Sequence, residues 1–499
     1  MRGGALAIAV GAGSLALPPP VAADPPAPPP TPNAPSPVDP ALTPATLTPF
    51  AGDIDIEDLL DTAGRVVIAG ERLHEHLVRR FYSAHGWKTV WDSRPAAAAA
   101  LLAAVLRADQ QGLDPAAFHS MALGRTSSQV EHDLLVSDAI VSYADALARG
   151  AVPVGDRPDE EDLRPQPVDV VAVVDAAISA PDPARAIEAL APTSSEYLAM
   201  RRAYADYLTL AAAGGRAVGI GARGREARVG VADALRRARQ VAINLERLRW
   251  LPRDMPAYRL VVDTTVSQLQ LFRDDRPVFT TRVVVGEYDK QTPELQSIVK
   301  HVLFNPPWNI PPSIVRKEIM PKVAADRGYL AAHHMRWRGP MAVQQEAGPY
   351  SALGRLKFEM DDRFDVYLHD TPEKWRFQAA GRMMSHGCVR VENPRELASL
   401  LLGETPEQID KAIALARTRA HALPKPVPVF IVYRTAIAES DGSIAFRDDP
   451  YHRDDGVWAH LIRPRAVLAA QKSGVQSTDK VRAGQRGSTV AQKTAAIGD

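Results

Sequence analysis

A change of hydrophobic period near residue 258 constrains this chain more than any other feature. Upstream, apolar residues recur at helical spacing. Pro95 opens an alanine- and leucine-rich run that stops before Gly112, and further runs at 129–149, 183–190 and 194–212 predict helices. A run over 231–250 carries Ile243, Leu245, Leu248 and Trp250, placed to pack onto the segment C-terminal to it. Downstream, short β-rich runs at 259–262, 268–272, 278–285, 297–304 and 429–433 predict strands, with Arg273-Asp274-Asp275-Arg276 as a hairpin turn. Helices in one block and strands in the next imply an α+β chain, a mostly helical domain followed by a β-rich one. Hydrophobic residues are 46% of the 499, so a globular core is feasible. Lys plus Arg equals Asp plus Glu at 59 each, which gives no argument for a nucleic-acid partner.

The ends read differently. Residues 1–23 have a positive start, a short apolar run and small residues at Val21-Ala22-Ala23, the pattern of a secretory signal peptide cleaved after Ala23. An uncleaved membrane anchor is the other outcome; either places the body outside the cytoplasm, in the periplasm. Residues 24–50 are rich in Pro, Ala and Thr and read as a disordered spacer. The helical domain then occupies 51–212, a Gly-, Ala- and Arg-rich loop 213–230, and the β-rich domain 231–462. Residues 463–499 read as a disordered basic tail, with six Lys or Arg against two Asp from Arg465 onward. The helical domain shows no nucleophile, metal cluster or phosphate loop, and reads as a packing and positioning domain.

Chemistry concentrates at Ser385-His386-Gly387-Cys388-Val389-Arg390. Cys388 is the only cysteine, so no internal disulfide forms. A catalytic thiol needs a base or a positive field. His369 is the candidate base. It ends an alternating run in which Phe364, Val366 and Leu368 share an apolar face while Asp365, Tyr367 and His369 share the other. Gly387 lets a substrate carbonyl approach the backbone, so the amides near Gly387 and Cys388 are candidate oxyanion donors. Ser385 is a candidate to orient His369. Asn393, Pro394 and Glu396 fit the cap, first turn and reciprocal capping positions of a following helix. A zinc site built from Cys388, His386 and His369, with the His333-His334 pair, has suitable ligand types but neither CxxC nor HExxH spacing. An inert core cysteine is the blander alternative.

His369 with 385–390, together with Gly354-Arg355-Leu356-Lys357-Phe358, Leu368-His369-Asp370-Thr371-Pro372 and Asn305-Pro306-Pro307-Trp308-Asn309-Ile310-Pro311, resembles the L,D-transpeptidase (YkuD-type) catalytic domain over about 250–455. The closer likeness is to the large periplasmic multidomain branch. Phe81 to Trp91 with Gly112-Leu113-Asp114-Pro115 is similar to the scaffold domain of that branch. Its small peptidoglycan-binding module is missing here or reduced to a remnant in 213–230.

The resemblance implies a lid over 311–350, with Trp308 at its entry, Tyr350 at its return and a helix near 312–323. It implies a cysteine thioester, peptidoglycan stem peptides as donor and acceptor, carbapenem β-lactams as inhibitors, and no cofactor or metal. His386 is a weaker candidate, because the family accepts other residues there. Arg390 stands where part of the family has asparagine, and would hold a stem carboxylate or bond the nearby loop. Water as acceptor would make the same chemistry an L,D-carboxypeptidase. A protein lysine would make it a protein-to-peptidoglycan attachment enzyme. A non-catalytic wall scaffold is the reading from another class.

Overall fold

The computed structural model describes residues 55–61, 66–215 and 230–462. The expected signal peptide, spacer and basic tail, and most of the 213–230 loop, lie outside these residues. Among the described residues no helix is long and apolar enough to cross a membrane.

The helical part begins with α1 (Ile56–Asp61), a small hairpin of β1 (Val67–Ile68) and β2 (Glu71–Arg72), α2 (Glu75–Ala84) and α3 (Pro95–Leu106). The longest helix, α4 (Gln129–Arg149), starts where the Ser128 side chain accepts the Glu131 amide and runs buried along most of its length. A two-residue strand β3 (Glu161–Asp162) precedes α5 (Val170–Ile178), α6 (Pro183–Glu188) and α7 (Ser195–Ala212). Asp169, Asp182 and Ser194 cap these three helices through their side chains, which is why each starts sharply.

Helix α8 (Val231–Arg249) departs from expectation. Its Ala234, Ala238, Val241, Ile243 and Leu245, with Trp250, belong to the helical core and pack back onto the helices before them. The reason is a buried polar cluster. Glu246 accepts the Val152 amide at 2.8 Å and the Trp250 indole at 3.0 Å, and pairs with Arg249 at 3.0 Å. Arg249 in turn donates to the Tyr197 hydroxyl on α7. Buried charges demand such partners, and these lie upstream. The domain boundary expected at 231 therefore falls after Trp250.

The β-rich part comprises β4 (Arg259–Asp263), β5 (Gln268–Arg273), β6 (Arg276–Gly286), β7 (Glu294–Phe304), β8 (Trp308–Ile310), β9 (Met335–Gly339), β10 (Ala342–Gln345), β11 (Leu356–Glu359), β12 (Leu368–His369), β13 (Met383–Ser385), β14 (Val389–Val391) and β15 (Arg419–Val432). Asp274 and Asp275 both take positive φ, 52° and 59°, the two-residue turn whose twist matches the β5–β6 hairpin. The main sheet runs β11-β12-β14-β6-β5-β4-β15-β7-β3, and β11 also pairs with β7, so the sheet closes on itself around an apolar core. Helices α12 (Pro394–Leu402) and α13 (Pro406–Ala414) cover this core. Thr405 and Gln408 form a full capping box at α13. At α12 Asn393 does occupy the cap and Pro394 the first turn, but the Asn393 amide donates to Thr281 and no reciprocal box forms.

Between β8 and β11 the chain builds a separate small body. Short helices α9 (Pro312–Ile314), α10 (Met320–Ala325) and α11 (Tyr329–Ala332), with a π-turn at Val315–Ile319, pack on the β8-β10-β9 sheet. Ile310, Val315, Ile319, Leu330 and Val343 form its own core. After β15 comes a hairpin of β16 (Ala436–Ala438) and β17 (Ile444–Phe446), then α14 (Asp454–Leu461). Their Ala436, Val457 and Leu461 return to the helical core, which the sequence reading missed.

Candidate active site

The site lies where β12 and β14 run parallel, with Leu368 beside Val389 and His369 beside Arg390. Leu368 and Val389 are fully buried in the sheet core. Because side chains alternate, Tyr367 and His369 on one strand and Cys388 and Arg390 on the other share the opposite face. The strand at His369 is only two residues long, since Asp365 takes φ +56° and ends the extended run expected upstream. Phe364, Val366 and Leu368 nevertheless pack together toward the core.

His369 is buried. Its Nδ1 lies 2.5 Å from the Asp370 carbonyl oxygen. A carbonyl can only accept, so Nδ1 carries the proton and Nε2 keeps its lone pair, the tautomer a general base needs. Burial, then the positive charges of Arg390, Lys357 and Lys374, push the imidazole pKa down to about 3. The Asp370 side chain locks this loop by accepting the Arg355 amide at 2.8 Å, the Thr371 amide at 2.7 Å and the Lys374 ammonium at 2.6 Å.

Cys388 is half-buried, its sulfur 3.9 Å from the Asp365 carbonyl. Burial pushes the thiol pKa up; hydrogen bonds from the Tyr367 backbone amide and hydroxyl, and the charge of Lys357, pull it back. Tyr367 is a further side chain on this face, which the sequence reading left without a role. Its hydroxyl interacts with both Cys388 and the Trp308 indole. Indole N–H only donates, so the Tyr367 oxygen accepts from Trp308 and its proton is aimed at the sulfur. Its position two residues before His369, on the same face, was the available signal. With the imidazole held down and the thiol held up, both groups are neutral at rest.

The remaining predicted residues divide. Gly387 takes φ +110°, a conformation nearly closed to other residues, and its carbonyl accepts from Thr292 at 2.8 Å. Ser385 does not orient His369. Its hydroxyl donates to the Cys388 carbonyl at 2.7 Å and accepts the Gly387 amide at 3.1 Å, closing the 385–388 turn. The Gly387 amide is thereby spent, leaving the Cys388 amide of the two proposed oxyanion donors. His386 points to the small body between β8 and β11, its Nε2 2.6 Å from Glu318, which also faces Lys290 at 3.4 Å. Arg390 bonds the neighbouring loop through Glu373 at 2.7 Å. Tyr350 stacks on His334 at 3.6 Å between ring centroids, away from Cys388 in sequence and in partners, while His333 packs on Tyr329. Those two histidines thus face Tyr329 and Tyr350, and among the described residues they do not join a cluster with Cys388. A cleft of about 290 Å³ borders the His369 loop, lined by Arg355, Asp370, Lys374, Glu392 and Arg395; Cys388 does not line it.

Comparison with known proteins places this geometry. Residues 257–419 match the model of the YkuD family, the L,D-transpeptidase catalytic domain, and residues 76–203 match the Scaffold domain model. A Haemophilus influenzae protein whose name gives L,D-transpeptidase as a provisional assignment is 34% identical over 238 residues, covering 43% of this chain and 48% of the relative. The chain thus spans about half the length of the curated relative it matches. Among solved structures, an L,D-transpeptidase from Mycobacterium smegmatis aligns at 11% identity and TM-score 0.21 over 35% of this chain and 58% of the other. The catalytic domain of the E. faecium L,D-transpeptidase acylated by ertapenem aligns at 13% identity and TM-score 0.21 over 36% and 99%. The chain carries a YkuD-family L,D-transpeptidase catalytic domain behind a Scaffold domain.

Proposed function

We propose that the chain is a periplasmic peptidoglycan L,D-transpeptidase that joins two diaminopimelate residues through a Cys388 thioester. The carbonyl at the L-centre of diaminopimelate in a donor tetrapeptide lies against the Cys388 sulfur. As the carbon–sulfur bond forms, the thiol proton passes to His369 Nε2, and the Cys388 amide receives the developing oxyanion. The tetrahedral species collapses, the bond to the terminal D-alanine breaks, and His369 returns the proton to the leaving amine. The side-chain amine of a second stem then attacks the thioester; it loses a proton to His369, which passes it back to the departing sulfur. Tyr367 stabilises the sulfur's negative charge in both halves. Positioned proton transfer of this kind contributes roughly 10²–10⁴-fold.

The observation that supports this reading most is the shared face of Tyr367, His369, Cys388 and Arg390, with the His369 proton fixed on Nδ1 by the Asp370 carbonyl. Carbapenems, which present a strained carbonyl to the same sulfur, are the expected inhibitors. The test is incubation with purified disaccharide-tetrapeptide and mass spectrometry of protein and products. A Cys388 adduct and cross-linked dimer are expected, and Cys388→Ala yields neither. Tripeptide alone marks water as the acceptor and an L,D-carboxypeptidase. Adduct formation by Cys388→Ala at the normal rate discards the mechanism.

A further inference from the structure

We propose that His74, His119 and Asp138 form a divalent-cation site of the zinc class inside the Scaffold domain, with Glu71 as the outer carboxylate that orients His119. The sequence reading found no metal cluster here, because the residues are spread over 68 positions and no two share a short motif. The fold brings them together. Glu71 comes from β2, His74 from the residue before α2, His119 from the turn after a 3-10 helix at Pro115–Phe118, and Asp138 from the middle of α4.

One ligand atom from each of His74, His119 and Asp138 lies within 4.8 Å of the others. His74 Nδ1 is 2.9 Å from Asp138 Oδ1, and His119 Nε2 is 2.6 Å from Asp138 Oδ2. Zinc bonds of about 2.0–2.1 Å in tetrahedral geometry set donor atoms about 3.3 Å apart. His74 Nδ1 and His119 Nε2 reach that spacing by moving outward from Asp138 by about 0.4 Å and 0.7 Å, and the two imidazole nitrogens, within 4.8 Å of each other, stay in reach of one ion. Asp138 is fully buried and His119 nearly so. A buried carboxylate needs a positive partner, and a divalent ion between two imidazoles supplies one. The His74 backbone amide donates to the same carboxylate at 3.1 Å, fixing its plane.

The second observation concerns the far side of His119. Its Nδ1 is buried and makes no hydrogen bond, yet it faces Glu71 Oε2 at 3.5 Å. With Nε2 bound to a cation, Nδ1 must carry the proton, and Glu71 is placed to receive it. A carboxylate behind a ligating histidine is the usual outer arrangement at zinc. Arg125 reaches Glu71 from the surface at 3.6 Å and holds it there. Two imidazole nitrogens favour zinc over magnesium or calcium, which prefer all-oxygen sites. The His74 side chain is 21% exposed, which leaves the fourth position open to water. The ion would tie the first hairpin, the start of α2 and the 119 turn to α4.

The test uses the full chain with Cys388→Ala, so that the thiol does not compete for metal. Protein stripped by chelator is dialysed against zinc chloride or magnesium chloride, and bound metal is counted by mass spectrometry of the elements. One zinc per chain, a zinc-dependent rise in melting temperature, no response to magnesium, and the intense visible absorption of tetrahedral cobalt(II) on substitution are expected. Glu71→Gln weakens zinc binding by about 10- to 100-fold. His119→Gln abolishes it. If that variant does not fold, His74→Gln, at the more exposed ligand, decides. Substoichiometric zinc in the parent protein, or full occupancy in His74→Gln, overturns the site. Acyl transfer is not a readout, so this result stands apart from the fate of the proposed reaction.

Discussion

Tyr367→Phe removes one oxygen atom and leaves the ring that packs between Lys357 and His369. The hydroxyl is the last link of a chain from the Trp308 indole to the Cys388 sulfur. It favours the thiolate, so its loss moves the thiol pKa further up. A hydrogen bond to a charged group contributes about 1.5–3 kcal/mol. At about 1.4 kcal/mol per decade, thiolate formation at a fixed neutral pH falls about 10- to 150-fold. The Tyr367 backbone amide remains, which keeps the effect below complete loss. The assay is intact-mass alkylation by iodoacetamide from about pH 6 to 10, run beside carbapenem acylation. Both profiles should move to higher pH by the same amount. An alkylation profile that superimposes on that of the parent protein refutes the assignment, because the ring stays in place and loss of a donor to the thiolate must raise its pKa. Trp308→Phe should shift the profile in the same direction by less, since it frees the Tyr367 oxygen without removing its proton.

Because His369 is pushed down to about 3, it stays neutral across the working range, and the pH profile of kcat/KM for the tetrapeptide should show no acid limb between pH 6 and 7, only a rise on the alkaline side as the thiol ionises. The same group makes stability fall as pH drops from 6.5, the unfolded value, toward about 3, by roughly 1.4 kcal/mol per pH unit, read as loss of denaturation midpoint. Glu318→Gln cuts the link from the small 312–345 body to His386; both side chains are about one-third exposed, so stability should change by less than about 1 kcal/mol, while hydrogen exchange over 312–325 speeds up. Glu246→Ala leaves Arg249 buried and unpaired and should cost about 3–5 kcal/mol by chemical denaturation, the largest loss of this set.

Much of this was legible in the sequence for physical reasons that can be named. Pro95 opens α3 through a backbone rule that operates within a few residues, but the helix ends at Leu106 and Gly112 closes a separate 3-10 turn at Ala108–Gln111. The Asp274-Asp275 hairpin and the face shared by Tyr367 and His369 are of the same local kind, since alternation alone puts those two side chains together. The illegible parts depend on partners far away in the chain. Ser385 beside a histidine motif looks like an orienting group, but its hydroxyl has nearer partners in its own turn. The apolar stripe of α8 fits either neighbour equally well, and only Glu246 meeting Val152 and Arg249 meeting Tyr197 settle which one. His119 and Asp138 are separated by a loop and half a helix, so no window on the sequence joins them.

These long-range partners also bear on how the two parts work together. β3, from the helical part, adds to the edge of β7 in the catalytic sheet, with Glu161 beside Glu294. At the other end, Arg434 pairs with Asp263 on β4 and with Glu196 on α7, while Asn244 on α8 donates to Thr435. Arg247 of α8 reaches Asp454 of α14. The sheet that presents Cys388 is thus held at β7 and at the end of β15, and both supports come from helical residues outside 257–419. A change in the helical part therefore acts on β4 and on β7, the strand that pairs with β11 to close the sheet. The route from there to the nucleophile is short. Thr292, just before β7, accepts the Gly286 amide at 2.8 Å and donates to the Gly387 carbonyl, so a shift of β7 is felt at the glycine whose φ the turn requires. On this geometry a change in the helical part should reach the turn that carries the thiol, and its effect should appear in kcat before it appears in substrate affinity.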